Sequence, residues 1–574
     1  MLFHERYSPY RNLFYTLKHM NISLDLKKLI KGDVHDDIET LEKFDHDTSV
    51  FTVRPQVVVS PKDAEDLKAL VSYALEHPGV SLTGRSAGTG MDGGALTESI
   101  VVNFGTYFNT IKEFGSDAQI KGQDGYGVVQ PGVWYRDFEK ESLKRDLLMP
   151  SFPASREICM VGGIVANNAG GELTLSYGKT EKYVRALKVV LSDGNEYEVK
   201  PLSPDELSTK LLQKDFEGEV YRRLYKLVMS NYETLQNARP KVSKNSSGYF
   251  LWNIYDKNSG IFDLTKLFVG SQGTLGLITE ITFGLVRPQK HSQMMVVFLD
   301  SFDRLGELVT DVLAYNPTTF ESYDDKTMRL ALRFFPEFLK RLGWKNVFTI
   351  IGNSLTEGYS ILRHGIPKLV LQITFDGDDP VSLRHKAFSL QKVLEKYTCR
   401  YTEVLHSPQE AQEYWLIRRE SFNLLRTKAK GMKASPFIDD IVVPPEVLPE
   451  FLPRLYAILE QYKKYMIHNI AGHIGNGNFH IIPLMDLSQA SVRAVIPEIS
   501  KKVFDLVLEY GGSTSGEHND GIIRTPFVKQ QFGEAVYKLF EETKRIFDPK
   551  NIFNPGKKVS GTLEYAVEHM KKVN

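Results

Sequence analysis

A glycine-rich loop between two short apolar runs constrains the fold more than any other part of the sequence. The segment Leu82–Leu96 reads LTGRSAGTGMDGGAL and contains five glycines and a single arginine, Arg85. The flanking runs, SLTG and SIVVNF, predict two strands. Glycine, serine and threonine in succession allow backbone N–H groups to converge on phosphate oxygens, and Arg85 would add positive charge. The loop therefore predicts a phosphate-binding turn, with a mobile surface loop as the alternative.

A second segment, Pro150–Glu172, consists almost entirely of small residues between Val161 and Gly171. Small side chains are needed where a backbone lies tightly against a flat or charged ligand, but close packing of two helices also uses them. The first segment has neither the Gly-Lys-Ser/Thr of a Walker A loop nor a clean GxGxxG that opens a helix. Together the two segments indicate a nucleotide-like ligand that is held by backbone groups.

Short strands and helices alternate from about Phe51 to Arg287. The run VVVS, Val57–Ser60, predicts a strand, and the helix after it is expected to have Ser60 as its N-cap and Pro61 at its first position. Asp193–Gly194 predicts a hairpin. This rhythm indicates a first α/β domain.

The pattern changes after Pro288, where two β-α-β units follow each other. Such units predict an antiparallel sheet covered by helices, an α+β arrangement. At about 150 residues per domain, two or three domains are expected. We therefore expect an N-terminal extension over residues 1–50, a first domain over 51–287 and a second domain over 288–574.

The densest group of candidate catalytic residues lies near the C-terminal end of the sequence. The segment HIGNGNFH, His473–His480, has a strong turn signal at its centre, so a hairpin is expected to place the two histidines opposite each other. Glu517 and His518 follow in the loop GGSTSGEHNDG. Two imidazoles and one carboxylate form a catalytic metal set with an open position, suited to Zn²⁺ or a similar ion. A purely structural histidine pair is the alternative.

Four segments together resemble the PCMH-type FAD flavoproteins of the vanillyl-alcohol-oxidase-like superfamily. They are the Arg85 loop, the segment 162–171, Tyr177–Gly178 and GSQGTLGLITEITF at 270–283. The resemblance covers residues 52–557 and implies an α+β fold: a two-part FAD-binding domain, a cap, and a C-terminal helical segment that returns to the flavin. The FAD-binding residues it implies are Arg85, Ser86, Gly88, Thr89, Gly90, Gly162, Gly163, Asn168, Gly170 and Ile278.

The resemblance also bears on how the flavin is held. Members of this family that attach FAD covalently often have a histidine in the first loop. This chain has Thr89 near that place, and the loop contains no histidine. We therefore expect FAD to be bound without a covalent link.

The C-terminal motifs are similar to H-x-G-D/N-G-N-x-H and G-E-H of the D-lactate and D-2-hydroxyglutarate dehydrogenase branch. The similarity implies that His473, His480 and Glu517 bind one divalent metal, Zn²⁺ first and Mn²⁺ second, and that His518 is the catalytic base. Neighbouring side chains of an extended segment point in opposite directions, so His518 is expected to face away from the metal, towards the substrate and flavin.

A carboxylate clamp is implied by the segment YWLIRRESFN, which contains a W-x-x-R-like motif. A guanidinium suits a bidentate carboxylate. The motif favours Arg418, with Arg419 as the alternative. Relatives of the hydroxyglutarate type have a lysine shortly before a D-x-x-x-P segment, whereas this chain has Ile438 near that place and Lys433 close by. This departure predicts a monocarboxylate substrate, such as D-lactate or a longer D-2-hydroxy acid.

The activity implied by the resemblance is oxidation of a small D-2-hydroxy acid to the 2-oxo acid. Neutral His518 takes the hydroxyl proton, and a hydride passes to flavin N5. No iron–sulfur motif is present, so an external acceptor is expected: a quinone, a cytochrome or an electron-transfer flavoprotein. Two alternatives are a transferase of the alkylglycerone-phosphate synthase type and a non-enzymatic flavin-binding electron carrier.

Composition limits the partners and the compartment. The 71 basic and 71 acidic residues balance, which gives no reason to expect nucleic acid as a partner. Two isolated cysteines, Cys159 and Cys399, are typical of a reducing compartment. The sequence lacks an apolar run long enough to span a membrane. We expect a cytoplasmic protein, with peripheral membrane contact through an amphipathic helix over Met1–His19 as an open alternative.

Overall fold

The computed structural model describes residues 22–117, 120–333, 365–428 and 431–570. The predicted surface helix over Met1–His19 lies outside these residues. A mixed four-stranded sheet opens the fold. In spatial order its strands are Asp33–His35, Val57–Ser60, Ile100–Asn103 and Leu82–Arg85. The first pair is antiparallel and the other pairs are parallel. The strand Asp33–His35, which lies in the predicted N-terminal extension, thus pairs with a strand of the predicted first domain.

The helix after Val57–Ser60 begins at Ala64, so the predicted start at Pro61 is wrong. Its N-cap is Asp63, whose side chain accepts the N–H of Asp66. Ser60 is instead the last residue of the strand and pairs with Asp33. The α-helices described in the first half of the chain are Ile22–Leu29, Ile38–Phe44, Ala64–Glu76, Tyr135–Leu143, Val161–Asn167, Thr174–Tyr177, Pro204–Leu212, Phe216–Ser230, Tyr232–Ala238 and Thr265–Phe268.

A five-stranded antiparallel sheet forms the second part of the first domain. Its strands, in spatial order, are Ile111–Ser116, Gly125–Val129, Leu277–Leu285, Val184–Val190 and Glu196–Val199. The hairpin predicted at Asp193–Gly194 is confirmed: Val190 pairs with Glu196, and Gly194 adopts a left-handed φ of 82°. Two further short strands, Pro201–Leu202 and Phe262–Asp263, pair with each other in an antiparallel way.

The part of the chain after Pro288 contains an antiparallel sheet, as predicted, and this sheet has seven strands. Its strands, in spatial order, are Cys399–Val404, His291–Leu299, Leu369–Gly377, Thr319–Asp324, Ile470–His473, Asn478–Ile481 and Ile441–Val442. The first four come from the two β-α-β units, whose helices are Leu305–Ala314 and Pro380–Leu394. The other three extend the sheet towards the first domain's glycine-rich segments, and we call the whole the cap sheet.

Further helices complete the cap. They are Asp325–Arg333, Pro408–Lys428, Leu448–Gln461 and Ala490–Glu509, accompanied by a small sheet of Lys433–Ala434, Leu484–Met485 and Met466–Ile467. Leu371, Ile373, Leu390 and Leu455 are among the fully buried residues of the core they enclose. Across the described ranges, none of the helices combines the length and hydropathy needed to cross a membrane.

The chain then returns to the first domain through helix Gly521–Phe547, which bends at Gly533, and a short final helix, Leu563–Glu568. Between them, Phe553 forms a parallel bridge with Leu82 at the edge of the first sheet. The side chain of Asn554 donates to the carbonyl oxygens of Gly94 and Gln272. The C-terminal segment therefore returns to the first domain, as the predicted fold class requires.

Candidate active site

A cavity of about 710 Å³ extends from the glycine-rich loop to the cap sheet. This volume is within the range of roughly 300–1,000 Å³ that is usual for ligand and cofactor sites. The predicted site residues that line it are Arg85, Ser86, Gly88, Thr89, Gly90, Gly162, Gly163, Ile278, Arg418, His473, His480, Glu517 and His518. One cavity thus receives both the glycine-rich segments and the histidine cluster.

The glycine-rich loop leaves backbone donors available to a ligand. Within the part of the chain that the structure describes, the N–H groups of residues 86–91 have no acceptor in the protein. The loop is held from outside: Thr48 donates its N–H to Gly90 O at 3.1 Å, and Gly93 donates its N–H to Asp47 Oδ2 at 3.1 Å. Gly88 has a left-handed φ of 69°. Such a turn fits the diphosphate of a nucleotide cofactor.

Arg85 is already bound by the protein. Its guanidinium donates to the carbonyl oxygens of Phe44 at 3.0 Å and His46 at 2.7 Å, and it lies 5.1 Å from the centre of the Phe44 ring. The side chain nevertheless borders the cavity. Arg85 therefore contributes positive charge beside the loop, and its hydrogen bonds hold the segment from Phe44 to His46 against the loop.

Gly162 and Gly163 lie in the first turn of helix Val161–Asn167, next to Ser86. A Cβ on Gly162 would lie 2.5 Å from Pro131 Cβ and 2.9 Å from Ser86 Oγ, so a larger residue would clash. This close approach brings the helix against the glycine-rich loop. Both glycines also border the cavity. The small residues therefore form part of the cavity wall and also allow the helix to pack closely against the loop.

Asn168 and Gly170, also predicted to bind FAD, do not line the cavity. Asn168 ends the helix with a left-handed φ of 49°, and its side chain donates to Glu181 Oε2 and accepts the Glu181 N–H. A Cβ on Gly170 would lie 2.8 Å from Thr174 Oγ1. Both residues shape the turn after the helix, which a pattern of small residues alone does not reveal.

The predicted hairpin at His473–His480 is present, but its register differs from the expected one. His473 pairs with Asn478, and Ala471 pairs with His480, so the histidines are diagonal neighbours rather than opposite each other. They share one face of the cap sheet because residues two apart on a strand point to the same side. Their ring centres lie 5.3 Å apart. The prediction of proximity holds, although the predicted pairing is wrong.

Glu321 connects His473 to the predicted carboxylate clamp. It lies on the strand next to His473, and its Oε1 accepts the N–H of His473 Nδ1 at 2.7 Å. Its other oxygen forms an ion pair with Arg418, which borders the cavity from helix Pro408–Lys428. The side chain of Arg419 lies outside the described residues. Burial opposes ionisation of Glu321, but Arg418 and His473 hold its pKa below the usual value.

Glu517 completes the predicted metal group. Its Oε1 lies 3.1 Å from His473 Nε2 and also contacts the ammonium of Lys244, a fully buried side chain. The ligand atoms of His473, His480 and Glu517 all lie within 4.8 Å of one another, which fits one divalent ion. Burial opposes ionisation of Glu517, yet Lys244 and His473 hold its pKa well below the usual range.

Asp439 lies against the remaining two histidines. Its Oδ1 accepts from His480 Nδ1 at 3.1 Å, and its Oδ2 lies 2.8 Å from His518 Nδ1. The two imidazoles stack with centres 5.1 Å apart. The expectation that His518 faces away from the metal group is therefore wrong, because residues 517–518 form a bend instead of an extended strand. Asp439, His480 and His518 form a second group with metal-ligand spacing.

Asp440 holds the bend in place. Its Oδ2 accepts the N–H groups of Glu517 at 2.8 Å and His518 at 2.7 Å, together with the hydroxyl of Ser515. Burial disfavours the charged form of His518, but the carboxylates of Asp439 and Asp440 outweigh it and raise the pKa of His518 to about 9. These carboxylates favour the imidazolium form.

Four buried charged residues of this site were not singled out from the sequence: Lys244, Glu321, Asp439 and Asp440. Glu321 lies in the buried strand TFESYD, and Asp439 and Asp440 interrupt the largely apolar segment PFIDDIVVP. A carboxylate inside a buried strand needs a partner, so this interruption was a usable signal. Lys244 stands in a polar loop, VSKNSSG, and has no such signal.

Sequence comparison identifies two domain families along the chain. Residues 55–200 match the FAD binding domain, and residues 288–558 match the FAD linked oxidases, C-terminal domain. A D-2-hydroxyglutarate dehydrogenase of Pseudomonas putida is 28% identical over 92% of this chain, which spans 50% of that relative's length. A D-lactate dehydrogenase of Anaerostipes hadrus is 26% identical over 92% of this chain and 94% of its own length.

Solved structures share the fold. p-Cresol methylhydroxylase has a TM-score of 0.64 at 14% identity, covering 96% of this chain and 98% of its own. Alkyldihydroxyacetonephosphate synthase has a TM-score of 0.60 at 15% identity, covering 97% of this chain and 87% of its own. Identities this low bear on the fold alone. With both domain families matched, the chain contains an FAD binding domain followed by the C-terminal domain of the FAD linked oxidases.

Proposed function

We propose that this protein is an FAD-dependent dehydrogenase that oxidises a small D-2-hydroxy acid to the 2-oxo acid. The observation that carries the proposal is that two features border the same cavity: a loop whose N–H groups have no acceptor among the described residues, and a cluster of three histidines and a glutamate. The names of the relatives support this substrate class. Bound FAD would supply the redox chemistry by accepting a hydride from the substrate.

Arg418 would bind the substrate carboxylate. It borders the cavity, and its ion pair with Glu321 fixes the direction of the guanidinium. A guanidinium carries five N–H donors, so it can keep the contact with Glu321 and still bind a second carboxylate. The substrate would therefore meet a clamp that is already oriented.

His473, His480 and Glu517 would hold a divalent ion, with Zn²⁺ first and Mn²⁺ second. His473 donates Nδ1–H to Glu321, and His480 donates Nδ1–H to Asp439, which leaves the Nε2 lone pair of each ring for the ion. When bound, the cation would lower the pKa of the 2-hydroxyl and, through its charge, oppose protonation of the nearby His518.

His518 would take the hydroxyl proton. Its Nδ1 lies against Asp439, so Nε2 is the nitrogen that is left to accept a proton. The neutral imidazole is the active form, and the carboxylates around it would stabilise the imidazolium that the step produces. The reduced cofactor would then be reoxidised by an external acceptor: a quinone, a cytochrome or an electron-transfer flavoprotein.

We also propose a monocarboxylate as substrate. Ile438 is fully buried, Lys433 is exposed on the strand Lys433–Ala434, and neither borders the cavity. Arg418 is thus the cap residue best suited to hold a carboxylate. D-lactate or a longer D-2-hydroxy acid would fit this arrangement better than a dicarboxylate.

Anaerobic flavin bleaching tests the proposal. The purified, FAD-loaded protein is mixed with D- and L-2-hydroxy acids of increasing length, and with D-2-hydroxyglutarate, in the absence of oxygen. Bleaching by D-monocarboxylates supports the dehydrogenase. A transferase of the synthase type or an electron carrier, the two competing functions, would leave the flavin oxidised with every acid. Faster reduction by D-2-hydroxyglutarate than by any monocarboxylate would contradict the proposed substrate length.

A further inference from the structure

Asp439 is one carboxylate placed between two histidines with different proposed roles. Its Oδ1 accepts from Nδ1 of His480, a proposed metal ligand, and its Oδ2 lies 2.8 Å from Nδ1 of His518, the proposed base. The residue is 0% exposed, so water does not share these contacts. Each carboxylate oxygen therefore has its own imidazole.

The surroundings hold this carboxylate in position. The side chain of Arg524 donates to the backbone carbonyl of Asp439 at 2.7 Å, and Arg524 is itself fully buried. The next residue, Asp440, has a left-handed φ of 67° and accepts the backbone N–H of His518. Rotating Asp439 away from either ring would require this packed segment to move.

A carboxylate so placed decides where each imidazole carries its proton. A neutral imidazole has one N–H and one lone pair, and a carboxylate accepts but cannot donate. Asp439 favours the hydrogen on Nδ1 of both rings, through a hydrogen bond at His480 and through a 2.8 Å charge contact at His518. Nε2 of His480 is then available to a metal, and Nε2 of His518 is available to a proton.

We propose that Asp439 is a positioning residue that fixes the tautomer of His480 and His518 together, so that metal binding and proton acceptance depend on the same carboxylate. The effect on proton acceptance by His518 rests on the proposed dehydrogenase function. The effect on metal binding stands without turnover.

The variant Asp439→Asn tests it because an amide of the same shape accepts at one end and donates at the other. It carries no charge and can accept only one Nδ1–H, so one ring loses its acceptor and the other loses the charged partner that raises its basicity. On FAD-loaded protein, metal affinity from chelator competition should fall roughly tenfold to a hundredfold, as for other partners of metal-bound histidines. With metal saturating, anaerobic flavin reduction should slow about a hundredfold while the substrate KM changes little, since Arg418 is untouched.

A double variant separates positioning from general damage. If Asp439 affects proton transfer only by positioning His518, Asp439→Asn should add little to the loss of flavin reduction that His518→Asn already causes. It should still weaken metal binding. Asp263→Asn, a buried aspartate on the strand Phe262–Asp263, is the control and should leave both measurements unchanged. The proposal would be overturned if the fold-losses in the rate of flavin reduction of the two single variants multiplied in the double variant. It would also be overturned if Asp439→Asn bound metal as tightly as the wild type.

Two further outcomes are distinguishable. If wild-type flavin is bleached by no 2-hydroxy acid, the proposed function fails, and the metal affinity still decides the role of Asp439 at His480. If Asp439→Asn does not load FAD, the same measurements are made on Asp439→Glu. Its longer arm keeps the charge but cannot face both rings at the original spacing, so one of the two properties should be lost, and retention of both overturns the inference.

Discussion

Glu321 accepts the Nδ1–H of His473 at 2.7 Å with one oxygen while its other oxygen contacts Arg418. One buried side chain thus links the proposed carboxylate clamp to a proposed metal ligand. A carboxylate that orients a metal-bound histidine also raises its basicity. We expect Glu321→Gln to weaken metal binding roughly tenfold or more. Chelator competition measures this, and unchanged affinity in a folded, FAD-loaded variant would separate Glu321 from the metal group.

The metal group itself is tested by removing ligands. His473→Ala and Glu517→Ala should each lose the ion and most of the turnover while keeping FAD, because the glycine-rich loop contributes its own, separate residues to the cavity lining. Metal analysis of the wild type is expected to find about one ion per chain. Active wild-type protein that contains no metal and tolerates EDTA would contradict the ligand assignment.

His518 should behave differently from the ligands. His518→Asn is expected to keep FAD and metal, bind substrate nearly normally and reduce the flavin at least about a hundredfold more slowly. Anaerobic stopped-flow reduction is the measurement, because steady-state turnover also includes reoxidation. If this variant arrives without metal, the second group, Asp439, His480 and His518, is the binding set instead.

The flavin should be released by acid. The loop around Thr89 contains no histidine, and among the residues that the structure describes the histidines at the cavity are His473, His480 and His518. Acid precipitation followed by fluorescence of pellet and supernatant measures the outcome. Fluorescence that stays with the protein pellet would demonstrate a covalent link and contradict the expectation.

Asp47 should make the fold less stable as pH rises. The pKa of Asp47 rises from 3.8 to about 6, mainly because the side chain is buried and also because of the nearby charge of Asp92. The folded state then holds the proton more tightly than the unfolded chain, so this stabilisation is present below the unfolded pKa and is lost as pH rises through about 6. The Tm of Asp47→Asn minus the Tm of the wild type should therefore be larger at about pH 8 than at about pH 5. An equal Tm difference at both values would contradict this.

Local signals predicted the parts of the fold that depend on neighbouring residues. The Asp193–Gly194 hairpin, the strand Val57–Ser60 and the antiparallel cap sheet all follow from turn residues or from apolar periodicity. The helix start was missed because Ser60 is held in the sheet by Asp33, a partner distant in the sequence, which leaves Asp63 to cap the helix.

The site divides in the same way. Spaced motifs located His473, His480 and Glu517, because a metal needs those residue types in one place. The hairpin register was missed, since a turn signal does not state which residues pair. The orientation of His518 was missed because Asp440 sets it from a separate segment. Contacts between distant segments decide each of these points.

The C-terminal return affects how the protein is made. Phe553 and Asn554 fasten one edge of the first sheet, and Asp33–His35 covers the opposite edge. The nucleotide-binding half is therefore incomplete until residues 551–558 have left the ribosome. Flavin incorporation is expected to follow translation rather than accompany it, and a protease cut just before Phe553 should release the cofactor without touching a residue of the cavity.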